Sequence, residues 1–175
     1  MQKERLRISM LIHGYPPREN AGTEQHSLQL TQALRERGHT VQVIAATRSP
    51  ARKHAEVFSD APNTFRVVNN IPARPLHREE REKTIESVVQ RQISKFNPDI
   101  VHVQHLQFLS SGLRFMCPSI LTLHDAWLWC AAGGTELLSG TNPCSGASPA
   151  KCAPCSAAWA PQLNQVGENL IKVAE

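Results

Sequence analysis

The chain has 175 residues, 41% of them hydrophobic, and a formal net charge of +4. This length fits one domain with its own core, and no apolar run approaches the roughly 20 residues of a membrane-spanning helix. The small charge and the few aromatic residues argue against a nucleic-acid-binding surface. We therefore expect a single cytoplasmic domain over residues 1–175, with peripheral contact to the inner face of a membrane as a further option.

The N-terminal residues predict a strand, a helix and a second strand. Residues 6–13 form an apolar run that ends at Gly14, and residues 23–37 repeat apolar side chains at helical spacing before Gly38. Residues 41–44 are apolar again and predict the second strand. In a unit of this kind the two strands are parallel and the connection is right-handed.

The rest of the chain continues the alternation of strands and helices. The clearest pattern is the apolar face of a charged helix, which contains Ile85, Val89 and Ile93 and ends before Asn97-Pro98. The other elements have weaker patterns. The predicted elements are a loop at 47–62 with a short helix as an option, a strand at 65–68, the helix at 78–96, a strand at 99–103, a helix or helical turn at 106–116, a strand at 119–123 and a closing helix at 161–174.

This order predicts an α/β fold with a Rossmann-like parallel sheet flanked by helices. In such sheets ligands bind at the carboxyl ends of the strands. The loop after the first strand ends in Gly22, Thr23 and Glu24, where a helix begins. Glycine allows a ligand to approach the backbone, and the free amides of a helix start favour a phosphate. A plain turn with a helix cap is the alternative interpretation.

Two later strands also end in polar residues. His105 follows the strand at 99–103, and His124 and Asp125 follow the strand at 119–123. An imidazole polarised by a neighbouring carboxylate could donate to a developing phosphate or sugar oxygen. Histidines at strand ends are more often structural, so both interpretations stay open.

The loop at 13–24 lacks the dinucleotide-binding fingerprint, because Pro16 and Pro17 stand where close-approach glycines are needed. A dehydrogenase of the NAD type is therefore disfavoured. A nucleotide-sugar epimerase is disfavoured too, since Tyr15 is the one tyrosine of the chain and no lysine follows it four residues later.

Four of the five cysteines lie in a Gly- and Ser-rich segment, which we interpret as a loop insertion at about 130–156. Four thiolates can hold one zinc ion, and such a site would stabilise a segment with few apolar residues. An iron–sulfur cluster, two disulfides or unliganded thiols are the alternatives. Cys117 precedes Pro118 and is interpreted as a buried apolar residue. The predicted zinc ligands are Cys130, Cys144, Cys152 and Cys155.

Three segments together resemble a known family: Gly38-His39-Thr40-Val41, the run from Asn97 to Val103, and Thr122-Leu123-His124-Asp125-Ala126-Trp127. They look like the N-terminal domain of the retaining glycosyltransferases of family four, which have the GT-B fold. The resemblance covers residues 6–155. A subset of this family carries a similar cysteine run, which supports a shared role of the thiols as ligands.

The resemblance implies an enzyme of two domains. This half holds a glycan or lipid-linked acceptor, and a C-terminal half, absent here, binds the nucleotide-sugar donor, so this chain alone is expected to be inactive. By position, the amide of Gly22 contacts the donor diphosphate, and His124 contacts the transferred sugar or the leaving phosphate. Ala21 departs from the Gly-Gly-x-Glu loop of the family, in which Glu24 matches the acidic residue. The resemblance implies no catalytic metal.

Two further expectations remain open. The basic segment 74–83 could contact a membrane surface, and no nucleic acid is expected as a partner. The alternative function is a zinc-bearing α/β binding module without catalytic activity.

Overall fold

A computed structural model of the chain describes residues 5–71, 82–126, 129–130, 137–138 and 142–159. These residues belong to two compact units. The first contains residues 5–71 and 82–124, and the second contains the described residues from 125 onward.

The first unit is built on a six-stranded sheet with the order β3-β4-β2-β1-β5-β6. All neighbouring strands are parallel except β3, which runs antiparallel to β4. The helices are α1, Gly22–Glu36, and α2, Lys83–Phe96. The strands are β1, Arg7–Ile12; β2, Thr40–Thr47; β3, Val57–Ala61; β4, Thr64–Val68; β5, Ile100–Val103; and β6, Ser119–Leu121.

Both faces of the central strands are buried, as their nearly continuous apolar sequences predict. Side chains alternate between the faces. Leu11 and Ile44 pack in one cluster with the buried face of α2, whereas Met10 and Val43 pack in a second cluster against partly buried leucines of α1. The sheet is therefore a layer between two helices, which confirms the predicted α/β fold.

The predicted loop at 47–62 is partly wrong, because it contains β3. The segment has no apolar period, since β3 lies at the edge of the sheet and its last three residues are exposed. A turn with Asn63 in the left-handed region (φ 55°) connects it to β4. An edge strand needs only one partner, and its own sequence therefore carries a weak signal.

Residues 106–116 form turns and no continuous helix, so of the two predicted forms the helix is wrong and the turn is present. Phe108 has a positive φ of 64°, which interrupts any helical repeat. The buried hydroxyl of Ser110 accepts from the amide of Gly112 and donates to Glu86 of α2. These bonds replace helical ones, while Leu109 is anchored in the core.

The described residues of the second unit include two short paired strands and a helix. The strands are β7, Leu137–Leu138, and β8, Asn142–Pro143, and the helix is α3, Pro149–Trp159. The prediction of a loop is wrong for residues 149–156, because Ser148 starts a helix there by accepting from the amide of Cys152 through its carbonyl. The sequence does not predict this helix because Pro154 lies inside it, and proline is rare in helix interiors.

Some predictions lie outside the described residues. They concern the closing helix at 161–174, the first residues of the helix at 78–96 and most of the basic segment 74–83. Among the helices of the described ranges, none has the length and hydropathy to cross a membrane.

Candidate functional site

The candidate site lies at the carboxyl edge of the sheet, which we define as residues 13–26, 102–105 and 122–124. The parallel strands β1, β5 and β6 all end there, and α1 begins there. Polar groups that follow such strands converge because the strands share a direction.

A buried arginine of β4 holds the loop that follows β1. Arg66 has a side-chain exposure of 0%. Its Nη1 donates to the carbonyl of Tyr15 at 2.8 Å, and its Nη2 donates to the carbonyl of Pro16 at 2.9 Å. The guanidinium also pairs with Glu19 at 3.1 Å and with Asp60 at 2.9 Å. Paired in this way, the buried charge fixes the loop to the sheet.

The loop is closed at its far end by Glu24. One carboxylate oxygen accepts from the amide of Ala21 at 3.1 Å, and the other lies 3.0 Å from Nε2 of His13. An acidic side chain in the first turn of a helix is favourable because it faces the positive end of the helix dipole. Glu24 therefore caps α1 and links it to the end of β1.

The two glycines of this loop have opposite surroundings. A Cβ on Gly14 would lie 2.7 Å from Cβ of Glu19 and 3.0 Å from Oε1 of Glu24. A Cβ on Gly22 would meet nothing within 4 Å. Gly14 is therefore required by packing inside the loop, whereas Gly22 faces open space at the first turn of α1. Thr23 follows it in the same turn.

Two imidazoles contact Gln104, and a third contacts one of these two rings. Nε2 of His102 lies 2.8 Å from Nε2 of Gln104, and Nε2 of His124 lies 2.8 Å from Oε1 of Gln104. The hydroxyl of Thr122 also lies 2.8 Å from Nε2 of His102. On the other side, the ring of His26 from α1 meets the ring of His124 edge to face, with centroids 5.0 Å apart.

This arrangement affects the charge of His102. Burial lowers the pKa of His102, because the charged imidazole is less well solvated, and the neighbouring rings of His26 and His124 lower it further. His102 is therefore neutral near pH 7.

The predicted residue His105 lies beside His13. It is 7% exposed, its ring centroid is 4.5 Å from that of His13, and its Nδ1 accepts from the amide of Gln107 at 3.1 Å. The structure thus brings Gly22, Thr23, Glu24, His105 and His124 to one edge of the first unit. Asp125 begins the second unit and is exposed.

The predicted zinc ligands all lie in the second unit. Cys152 and Cys155 are half-buried on α3, and Sγ of Cys144 is 3.4 Å from the carbonyl oxygen of Gly146. The described part of the chain contains no group of three or more His, Cys, Asp or Glu side chains placed to hold a metal ion. Zinc at these four cysteines stays a prediction.

Sequence reasoning missed four functional candidates: Arg66, His26, His102 and Gln104. His26 stands four residues after Gly22, one helical turn away, and this spacing is a signal that could have found it. His102 and Gln104 lie on either side of Val103, the last residue of β5, and polar side chains at the carboxyl ends of parallel strands often contact ligands. Arg66 gives no such signal, because the loop that it holds is about 50 positions away in the sequence.

One family model matches most of the chain. The family model of Glycosyltransferase Family 4 matches residues 20–142. Among solved structures, sucrose-phosphate synthase from Thermosynechococcus elongatus is similar at 17% identity and a TM-score of 0.48, over 70% of this chain and 34% of that one. The chain therefore spans about a third of that protein's length. No curated protein matches the chain.

Proposed function

The chain belongs to glycosyltransferase family 4, and we propose that it is the N-terminal, acceptor-side half of a retaining glycosyltransferase. In this proposal a sugar passes from a nucleotide-sugar donor to a glycan or lipid-linked acceptor. A second domain outside this chain holds most of the nucleotide, and this half alone is inactive.

The observation that carries the proposal is the contact between His26 and His124. It places the end of β6 beside α1, about one turn, or roughly 6 Å, along the helix from Gly22. Open space at Gly22, the amides of a helix start and an imidazole thus occur at one edge. This combination suits an anionic group that carries a sugar.

The residues have different parts in the proposed reaction. The amides of Gly22 and Thr23 bind the donor diphosphate at the positive end of the α1 dipole. Glu24 does not repel this anion strongly, because its buried carboxylate is paired with His13 and the amide of Ala21. His124 contacts the transferred sugar or the leaving phosphate.

Catalysis in this proposal is mainly positioning and stabilisation of charge on the leaving group. The leaving diphosphate helps to deprotonate the acceptor on the same face of the sugar, which retains the configuration. His124 supports this step as a hydrogen-bond donor or as an imidazolium, and the step requires no catalytic metal.

Two binding titrations test which half of the enzyme this chain represents. Calorimetry with a nucleotide sugar is expected to show weak binding, because most nucleotide contacts belong to the second domain. Calorimetry with an oligosaccharide or a lipid-linked sugar is expected to show the stronger binding. Tight nucleotide binding by this chain alone would contradict the assignment to the acceptor side.

Turnover of the active enzyme that contains this chain tests the role of His124. We expect His124→Ala to lower kcat by about 10²–10³-fold, the usual effect of losing a donor to a developing charge. The control is His39→Ala, immediately before β2, whose ring accepts from the amide of Leu6. If both variants keep full turnover, His124 has no part in the site.

A further inference from the structure

We propose that Gln104 is a positioning residue: its amide holds His102 and His124 in opposite protonation patterns, and it makes His124 the imidazole that can carry a positive charge at this edge. Only the catalytic use of that charge rests on the function proposed above.

The two polar atoms of the Gln104 side-chain amide differ in their hydrogen-bonding roles. The amide oxygen of Gln104 can only accept a hydrogen bond, and its nitrogen can only donate. The oxygen faces Nε2 of His124 and the nitrogen faces Nε2 of His102, each at 2.8 Å. Nε2 of His124 must therefore carry a proton, and Nε2 of His102 must not.

The amide is held in place by burial. Gln104 is 1% exposed, and its backbone amide donates to the carbonyl of Leu11 on the neighbouring strand at 2.8 Å. Turning the side chain round would require both imidazoles to change tautomer, because a buried polar group without a partner costs free energy. The residue thus couples the two rings to each other.

The two histidines respond differently to a proton. A proton on His102 would have to enter at Nε2, where the hydroxyl of Thr122 at 2.8 Å could accept a bond but the donating nitrogen of Gln104 would lose its acceptor. Burial of this ring opposes a charge as well. A proton on His124 enters at Nδ1 and leaves the bond from Nε2 to Gln104 intact. The amide oxygen then stabilises the imidazolium, since hydrogen bonds to charged groups are stronger.

Ring nitrogen spectra of the ¹⁵N-labelled chain test this directly, since protonated and unprotonated nitrogens have distinct shifts. Each signal is assigned by its loss in His102→Gln or His124→Gln. In the wild type at neutral pH we expect protonated Nδ1 with unprotonated Nε2 in His102, and protonated Nε2 in His124. The same tautomer in both rings, or the reverse pattern, would overturn the proposal.

Two variants of Gln104 test whether its amide sets the tautomers of the two imidazoles. Gln104→Met removes both hydrogen bonds and should shift the tautomer ratios of both rings several-fold. Gln104→Glu keeps the shape but can only accept when ionised, so Nε2 of His102 should become protonated and the pKa of His102 should rise. Unchanged spectra in both variants would overturn the proposal.

The matched control is Gln42→Met. Gln42 is 2% exposed and donates to the hydroxyl of Ser9 at 2.7 Å, within the sheet. It should lose stability as Gln104→Met does while leaving both imidazoles unchanged. A shift in the control equal to that in Gln104→Met would mean a general effect of destabilisation and would overturn the proposal.

Turnover links the charge to the reaction. In the active enzyme we expect Gln104→Met to lower kcat about tenfold, within the range for assisted proton positioning, with KM for the acceptor nearly unchanged. The spectra require no substrate, so failure of the glycosyltransferase proposal would leave the tautomer result standing. Loss of the tautomer pattern would likewise leave the family assignment intact.

Discussion

The two units of the chain hold their polar residues in different ways. In the first unit the completely buried Arg66 binds the loop after β1. The imidazoles of His102 and His124 contact the buried amide of Gln104. In the second unit Ala126 and Ala153 are buried, and the strands are two residues long. Packing and buried hydrogen bonds can fix a site in the first unit.

This difference gives a physical reason to keep zinc as a prediction. The segment 130–156 is rich in Gly and Ser and has few large apolar side chains, so it gains little from the hydrophobic effect. Small units of this kind are often stabilised by a metal or by disulfides, and four of the five cysteines lie in this segment.

The largest effect is therefore expected from Cys152→Ser with Cys155→Ser. We expect one zinc per wild-type chain by elemental analysis. The double variant should lose this zinc, and the second unit should unfold at a much lower temperature, because the binding energy of a structural metal is folding energy. Calorimetry and circular dichroism measure the loss.

The control for the cysteines is Cys117→Ser, whose side chain packs against the core of the first unit. It should leave the zinc content unchanged. If the wild-type chain contains no zinc and the double variant melts at the wild-type temperature, the zinc prediction is wrong. The contrast between the units would then need another explanation.

The next largest effect is expected from Arg66→Met in the first unit. It leaves the carboxylates of Glu19 and Asp60 without their buried cation. The carbonyl of Pro16 loses its bond from Nη2, and the carbonyl of Tyr15 keeps only the bond from the amide of Glu19. Breaking a buried pair in this way costs about 3–5 kcal/mol. Urea unfolding, followed by far-UV circular dichroism, would measure the loss in the free energy of unfolding.

Arg18 provides a control on the same carboxylate. Arg18→Met removes a contact of 3.0 Å to Asp60, but the side chain of Arg18 is 45% exposed. Exposed ion pairs contribute about 1 kcal/mol or less. If the two variants lose equal stability, burial does not explain how the loop is held.

Much of the first unit could be predicted from the sequence. Apolar runs such as the one before Gly14 define the strands, and the apolar face of Ile85, Val89 and Ile93 defines α2. The position of Gly22 and His124 at the carboxyl edge follows from the parallel order of the strands.

The rest could not be predicted, because it depends on partners that are distant in the chain. Arg66 lies in a short strand where its burial is not evident, and it meets Tyr15 across 51 positions. The hydrogen bonds of Gln104 depend on where β6 pairs with β5. Two of the cysteines lie on α3, a helix that the sequence does not predict because it contains Pro154.

Gly14→Ala tests the packing of the loop and should have a smaller effect than Arg66→Met. The added methyl group would lie 2.7 Å from Cβ of Glu19, which is well inside van der Waals contact. Overpacking of this kind costs about 1–3 kcal/mol. Thermal unfolding should show a lower melting temperature, and a stability equal to that of the wild type would mean that the loop can shift freely.

Gly22→Ala should have the smallest effect on stability. Its methyl group meets nothing within 4 Å, and alanine is a better helix former than glycine, so the melting temperature should stay the same or rise slightly. The same methyl group would occupy the space at the first turn of α1 that the proposal reserves for a diphosphate. Turnover of the active enzyme should therefore fall, with a higher KM for the donor.

The pair of glycines thus separates two reasons for having no side chain in one loop. Gly14→Ala should lower stability because the loop itself fills the space, and Gly22→Ala should lower donor affinity because the ligand fills it. A Gly22→Ala enzyme with the donor KM of the wild type would place the diphosphate elsewhere. The contact of His26 with His124 would then bring together groups that serve the acceptor or the fold of this edge, and not the donor.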